Sequence, residues 1–188
     1  IVAPLWFPLA NIAMYPVEES MRQGFRRKAA RRVQKAAPVV IGITGSYGKT
    51  STKHYLTHIL EGRYRVLMTP KSYNTIMGVC LTINTQLDPT IGYQYFVVEM
   101  GAYVPGEIAG ICKLTHPSIS IVTAVGPQHL ERFGSIDNIQ KAKYEIIEGL
   151  SENGTGIFNF DDPRVREMET RGHTFTRYGV SYADPPHD

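Results

Sequence analysis

With 188 residues, 43% of them hydrophobic and 20% charged, the chain can bury the core of one α/β domain but is too short for two full ones. The formal net charge of +3 excludes a uniformly polyanionic or polycationic protein, yet it is unevenly placed: Arg22, Arg26, Arg27, Lys28, Arg31, Arg32 and Lys35 crowd one stretch, and the chain beyond Lys35 is close to balanced. Cys80 and Cys112 stand alone, outside any CxxC pair, which argues against a zinc site or disulfide framework and for a reducing, cytoplasmic setting.

Ile1 to Pro16 is mostly apolar and uncharged, but it falls short of the roughly 20 residues that cross a bilayer, and Pro4, Pro8 and Pro16 interrupt it. No basic residues precede the apolar run, so a signal peptide is not expected, and a first residue other than Met suggests a piece of a longer protein. The apolar start beside seven basic residues predicts membrane contact through residues 1–35, at the inner face; the alternative is a solvated helix face. A nucleic-acid partner is not expected. Arg22 to Lys35 are good helix formers, and Pro38 closes the segment, setting 1–37 apart from 38–188.

Val39 to Thr44 is apolar and β-branched without polar alternation, the pattern of a buried parallel strand. A glycine-containing turn comes next, then helical spacing of Tyr55, Leu56, Ile59 and Leu60 between Thr50 and Leu60. Further strands are predicted at Arg65–Met68, Tyr95–Met100, Ile119–Ala124, Gly156–Phe160 and, at an edge, Phe175–Val180. Helices are predicted at Ile76–Leu87, at Pro105–Ile111 with Pro in the first helical position, from an Asp137 cap to about Leu150, and at Pro163–Thr170. The Pro-rich end, Asp184 to Asp188, reads as a frayed tail. This alternation predicts an α/β fold with a mostly parallel, P-loop-type sheet and helices on both faces.

The turn after the first strand, Gly45-Ser46-Tyr47-Gly48-Lys49-Thr50-Ser51, carries the chemistry. Backbone N–H groups at a helix start cradle phosphate oxygens, Lys49 reaches the outer phosphates of ATP, and Thr50 offers a hydroxyl to Mg²⁺. The strict GxxxxGK[ST] pattern is not met, because Ile43 stands where its first glycine belongs.

Gly42 to Thr52 resembles the ATP-binding loop of the Mur ligases, which build the peptide stem of bacterial peptidoglycan. Further similar segments come in that family's order: Ser72 to Val79 around Asn74, Val98 to Ala102 around Glu99, His129 to Ser135, Lys141 to Ile146 around Lys143, and Asn159 to Asp162. The Glu-Met-Gly-Ala and His-Leu-Glu-Arg-Phe-Gly-Ser wordings look most like the branch that adds D-alanyl-D-alanine. The resemblance implies ATP-dependent amide ligation through an acyl phosphate, with a small-molecule or UDP-sugar-peptide carboxylate and an amine as substrates. It implies catalytic roles for Lys49, Asn74, His129 and Lys143. It also implies Mg²⁺ at Thr50, Glu99 and His129, with a second ion served by Lys143 as a carbamate. The amine site and adenine contacts would lie beyond Asp188, so 38–188 is expected to be incomplete and inactive by itself.

The residues carry part of this independently. Glu99 ends a buried strand, where an unpaired carboxylate is costly and a bound cation would neutralise it. A carbamate forms only on a neutral amine, which neighbouring cations would favour at Lys143, although Lys141 and Lys143 could simply solvate a helix face. Asn159, Asp161 and Asp162 fit a turn at least as well as a nucleotide contact. The rival readings are a folylpolyglutamate-synthetase-like ligase, a P-loop small-molecule kinase and a membrane-tethered nucleotide-binding module without catalysis.

Overall fold

A computed structural model describes residues 3–168 and 174–180. Six strands form one parallel sheet: β1 (Val39–Thr44), β2 (Val66–Met68), β3 (Tyr95–Glu99), β4 (Ile119–Val122), β5 (Thr155–Asn159) and β6 (Thr174–Tyr178), in the order β2-β3-β1-β4-β5-β6. Ile41 of β1 aligns with Val97 of β3 and Ile119 of β4, so the most apolar strands occupy the centre. The helices are α1 (Ala3–Ala36), α2 (Lys49–Glu61), α3 (Ile76–Gln86), α4 (Glu107–Thr115), α5 (Leu130–Phe133), α6 (Ile136–Glu148) and α7 (Pro163–Arg166).

Alternate residues of β1 point to opposite faces, as a strand's period of two requires. Val40 joins Val98, Val122 and Phe158 in the larger core, which also takes Ala29 and Val33 of α1, Val79 and Ile83 of α3, Ile108 and Ile111 of α4, and Ile139 and Ile146 of α6. Ile41 and Ile43 face the other way, with Val97 and Ile121, under Leu56 and Leu60 of α2. Both faces are therefore covered, one thickly and the other by α2.

The sequence expectations hold for all six strands within a residue or two, but several helix details change. The N-terminal prolines do not interrupt α1. Pro4 sits in the first turn, where a missing N–H leaves no bond unmade, while Pro8 and Pro16 each forfeit one backbone bond. Ala37, at φ 45°, ends the helix, and Pro38 comes directly after it. Asp137 is not the cap of α6; the Ser135 hydroxyl accepts from Asn138 N, and the helix starts at Ile136. Pro105 is not the first helical residue of α4, which begins at Glu107 behind a left-handed Gly106. Its exposed amides are capped from a distance, since the Glu145 carboxylate of α6 accepts from Gly106 N at 2.6 Å and Ala109 N at 2.9 Å. The predicted end of the seventh helix, at 169–170, and the tail at 184–188 lie outside the described residues.

Candidate active site

Because every strand runs parallel, the ends of β1, β3 and β4 share one edge of the sheet. The chain leaves β1 for α2 on one face and leaves β3 for α4 on the other, so the two loops part and open a crevice between them. A cleft of about 320 Å³ lies there. It is lined by Lys49 and Thr50 from the start of α2, Ser72 and Asn74 from the loop before α3, Glu99 from the end of β3, Tyr103, Gln128 and His129 from later loops, and Lys143 from α6. Candidate residues widely spaced in sequence thus meet on one surface.

The loop after β1 is held from the neighbouring strand. Thr123 Oγ1 donates to Tyr47 O at 2.6 Å and lies 3.1 Å from Thr44 O, while Ser46 N donates to Ala124 O at 2.7 Å. The Ser46 hydroxyl and Gly126 exchange bonds at 2.9 Å, so Ser46 works inside the loop. Gly45 is obligatory: its φ is 151°, and a Cβ there would come within 2.1 Å of Thr123 Oγ1. Gly48, at φ 81°, turns the chain into α2. Among the described residues, the amides of Gly48, Lys49, Thr50 and Ser51 have no hydrogen-bond partner; with the helix dipole behind them they form an anion cradle. Lys49 Nζ donates to Gly45 O at 2.6 Å, and burial lowers its pKa against the opposing pull of Glu99. Tyr47 is exposed, its ring over Gly126.

Glu99 is 1% exposed. The Thr50 hydroxyl lies 3.0 and 3.1 Å from its two oxygens, and Asn74 Nδ2 donates to Oε1 at 3.3 Å. Asn74 is itself fixed by its carbonyl, which accepts from Gly101 N at 2.8 Å, and a Cβ on Gly101 would strike its amide. Glu99 is not an unpaired carboxylate even without a bound cation. Its counter-charge within the protein is Lys53, wholly buried, with Nζ 2.9 Å from Glu99 Oε2. Sequence reasoning missed Lys53, although it stands one helical turn after Lys49 and so on the same face of α2.

His129 adopts φ 59° just before the unforeseen turn of α5, and its ring lies 4.7 Å from that of Tyr103, which Arg132 covers from 5.0 Å. The two lysines of α6 behave differently. Lys141 is exposed, whereas Lys143 is 3% exposed at the cleft. Burial and the Lys49 charge lower the Lys143 pKa to about 8, against the pull of Glu145 and Glu107. The strand-end residues are structural: Asn159 Nδ2 donates to Thr123 O, and Asp162 caps α7 and accepts from Val125 N.

Among the described residues, no three His, Cys, Asp or Glu side chains gather as a ready metal cage. The donors at the cleft are a hydroxyl, a carboxylate and an imidazole beside an anion cradle. That set fits Mg²⁺, which is commonly held by one or two protein groups together with phosphate oxygens and water.

The sequence profile of the Mur ligase middle domain matches residues 43–184. The chain is 34% identical to UDP-N-acetylmuramoyl-tripeptide–D-alanyl-D-alanine ligase of Bacillus subtilis, covering 88% of this chain and 36% of that protein. It is 39% identical to the enzyme of the same name from Escherichia coli, covering 78% of this chain and 32% of that one. The crystal structure of MurF ligase from Thermotoga maritima in complex with ADP superposes with a TM-score of 0.79 at 34% identity, over 85% of this chain and 37% of that chain. The chain thus spans about a third of the length of these relatives.

Proposed function

The chain belongs to the Mur ligase family, and from that premise we propose that it is the ATP-binding part of an ATP-dependent amide ligase of peptidoglycan precursor synthesis. The observation that carries the reading is the meeting of Lys49 and Thr50, from the run of unpartnered amides at residues 48–51, with Glu99 and buried Lys143 in one cleft.

In this reading the loop amides and Lys49 hold the β- and γ-phosphates of ATP and stabilise charge on the phosphoryl group as it passes to a substrate carboxylate. An amine then attacks the acyl phosphate, and ADP and phosphate leave. Gly45, Ser46 and Tyr47 shape the loop; Gly48, Lys49, Thr50 and Ser51 supply its donors. Asn74, fixed between Gly101 and Glu99, orients the reacting carboxylate. Thr50, Glu99 and His129 would hold Mg²⁺, and Lys143 as a carbamate would serve a second ion; such ions supply charge neutralisation at the phosphates. The substrates would be a UDP-sugar peptide and a D-alanyl-D-alanine-like amine, taken up by parts of the protein other than residues 38–188.

A phosphate-binding module without catalysis has no need of a buried lysine with a lowered pKa in the same cleft, and a small-molecule kinase leaves it idle. The proposal extends to location: cytoplasmic, at the inner face of the membrane, with contact through residues 1–35. Calorimetry with ATP and Mg²⁺ on this chain tests the core of the reading. Binding that needs both the nucleotide triphosphate and the metal supports it, and the absence of heat when the two are supplied together would sink it.

A further inference from the structure

Helix α1 divides its character along its axis. In its second half, Phe25, Ala29, Val33 and Ala36 pack onto the larger core. On the outer side, Arg27, Lys28, Arg31 and Lys35 recur at helical spacing, with Arg32 at the flank, and line a groove of about 350 Å³ headed by Gly24. The first half and the boundary after it are different: Ile12, Met14 and Tyr15, then Val17 and Met21, are all at least half exposed. At 100° per residue these five spread over about 220° of the helix circumference, wider than the apolar stripe of about 100° that packs against a single neighbour. Between the halves, Glu18 pairs with Arg22 at 3.5 Å, and Gln23 donates to Glu19. These are the two acidic residues against seven basic ones from Glu18 to Lys35.

We propose that α1 seats end-on in an anionic bilayer, its apolar half in the acyl layer and its basic stripe gripping lipid phosphates. This rests on the membrane contact proposed above and is independent of the ligase reading. The geometry distinguishes the arrangement from a helix lying flat. An interfacial helix separates apolar and charged residues around its axis, whereas here they are separated along it. The dimensions agree. As helix, the described stretch from Ala3 to Pro16 reaches about 21 Å, longer than a leaflet of about 15 Å, so it can place its apolar residues in the acyl layer. No helix among the described residues is long and apolar enough to cross a membrane. The basic stripe from Gly24 to Lys35 is about 18 Å long and begins about 12 Å beyond Pro16. Its lower part, Arg27, Lys28 and Arg31, whose long side chains lean towards the helix N-terminus, therefore comes within a headgroup layer plus the reach of its surface potential, and Lys35 lies beyond it. A nucleic acid would satisfy the stripe but leave the exposed apolar half in water.

The test uses the full chain with vesicles of phosphatidylcholine, with and without phosphatidylglycerol, and the emission of Trp6, the sole tryptophan. The expected result is flotation with the anionic vesicles and quenching of Trp6 by brominated acyl chains. Arg27→Gln, Lys28→Gln and Arg31→Gln should weaken binding about fivefold each, on the order of a hundredfold together. Ile12→Ser with Tyr15→Ser and Val17→Ser should abolish the quenching. Equal unfolding midpoints and equal ATP affinity in all variants show that the fold and the cleft are intact. Bound protein with unquenched Trp6 overturns the end-on seat, and a triple Gln variant that floats like wild type overturns the phosphate grip. Failure to float, with tight binding of a single-stranded RNA that the Ser variant shares, transfers the stripe to nucleic acid. Failure of wild type to bind ATP removes the ligase reading and leaves this one standing.

Discussion

Lys53 Nζ stands 2.9 Å from Glu99 Oε2, and both side chains are closed off from solvent. The pair ties the second turn of α2 to the end of β3 across the crevice, and Lys53 also donates to the Lys71 carbonyl at 2.5 Å. Glu99 therefore reaches the cleft with its charge already compensated on one oxygen. A cation arriving at Thr50 and Glu99 meets a half-neutralised carboxylate and must draw affinity from phosphate oxygens as well. Metal and nucleotide binding should be coupled: calorimetry should find Mg²⁺ weak alone and much tighter with ATP. Equal Mg²⁺ affinity with and without ATP would contradict this.

Removing one partner of the buried pair should be far worse than removing both. Lys53→Met strands the Glu99 carboxylate and should destabilise the fold by about 3–5 kcal/mol. Lys53→Met with Glu99→Gln should recover most of that loss, because the amide still accepts from Thr50 and no charge is left unpaired. Urea unfolding of the two singles and the double gives the coupling directly. A loss under about 1 kcal/mol for Lys53→Met would mean that Glu99 finds another counter-charge.

The phosphate cradle makes separable predictions for its glycine and its lysine. Gly45→Ala forces a Cβ onto Thr123 Oγ1 and the Ala124 amide, at 2.1 and 2.9 Å, so the loop must move and both stability and ATP affinity should fall. Lys49→Ala leaves the loop path alone. It should weaken ATP by roughly ten- to a hundredfold, about 1.5–3 kcal/mol, the worth of a charge-assisted contact. If thermal unfolding shows Gly45→Ala as stable as wild type, the tight approach to Thr123 is not a real constraint.

The strands were legible because a parallel sheet buried on both faces needs apolar, β-branched runs such as Val39–Thr44, which a helix or loop would not use. The loop was legible because Gly48-Lys49-Thr50 after such a run has few purposes besides phosphate. Lys53 was not, since a lysine inside a helix usually solvates it, and only the sheet edge supplies the carboxylate that lets it be buried. For the same reason Lys141 and Lys143 look alike in sequence, yet the packing of α6 exposes one and encloses the other. Caps fared worst: Ser135 and Asp137 are both acceptable N-caps, and a hydrogen bond to Asn138 N decides between them. The distant cap of α4 by Glu145 could not be read at all, because it joins residues 36 and 39 positions apart.

Lys143 offers the sharpest test, because its burial, its charge and its proposed chemistry all act through one proton. Burial first, and then the Lys49 charge, lower its pKa from 10.5 to about 8. The folded value lies below the unfolded one, so between about pH 8 and 10.5 the unfolded chain holds more protons, and stability should rise with pH across that window. Below pH 8 the cost of a buried ammonium is present in full. Lys143→Met should therefore be more stable than wild type at pH 7, by on the order of 1–3 kcal/mol, with the advantage fading towards pH 10.5. Urea midpoints across that range check the sign, and a constant difference would mean that Lys143 keeps an ordinary pKa. The same shift prepares the amine for CO₂: at pH 8 about half of the side chains are neutral, against ~0.3% for an unperturbed lysine. With ¹³C-labelled bicarbonate, NMR should show a carbamate carbon that strengthens as pH rises through 8 and is missing from Lys143→Ala. In the protein that carries the whole ligase, Lys143→Ala should lose amide synthesis while ATP affinity falls far less, since Lys49 and the loop amides are untouched. A wild-type rate in that variant would leave Lys143 as a buried charge with no part in the reaction.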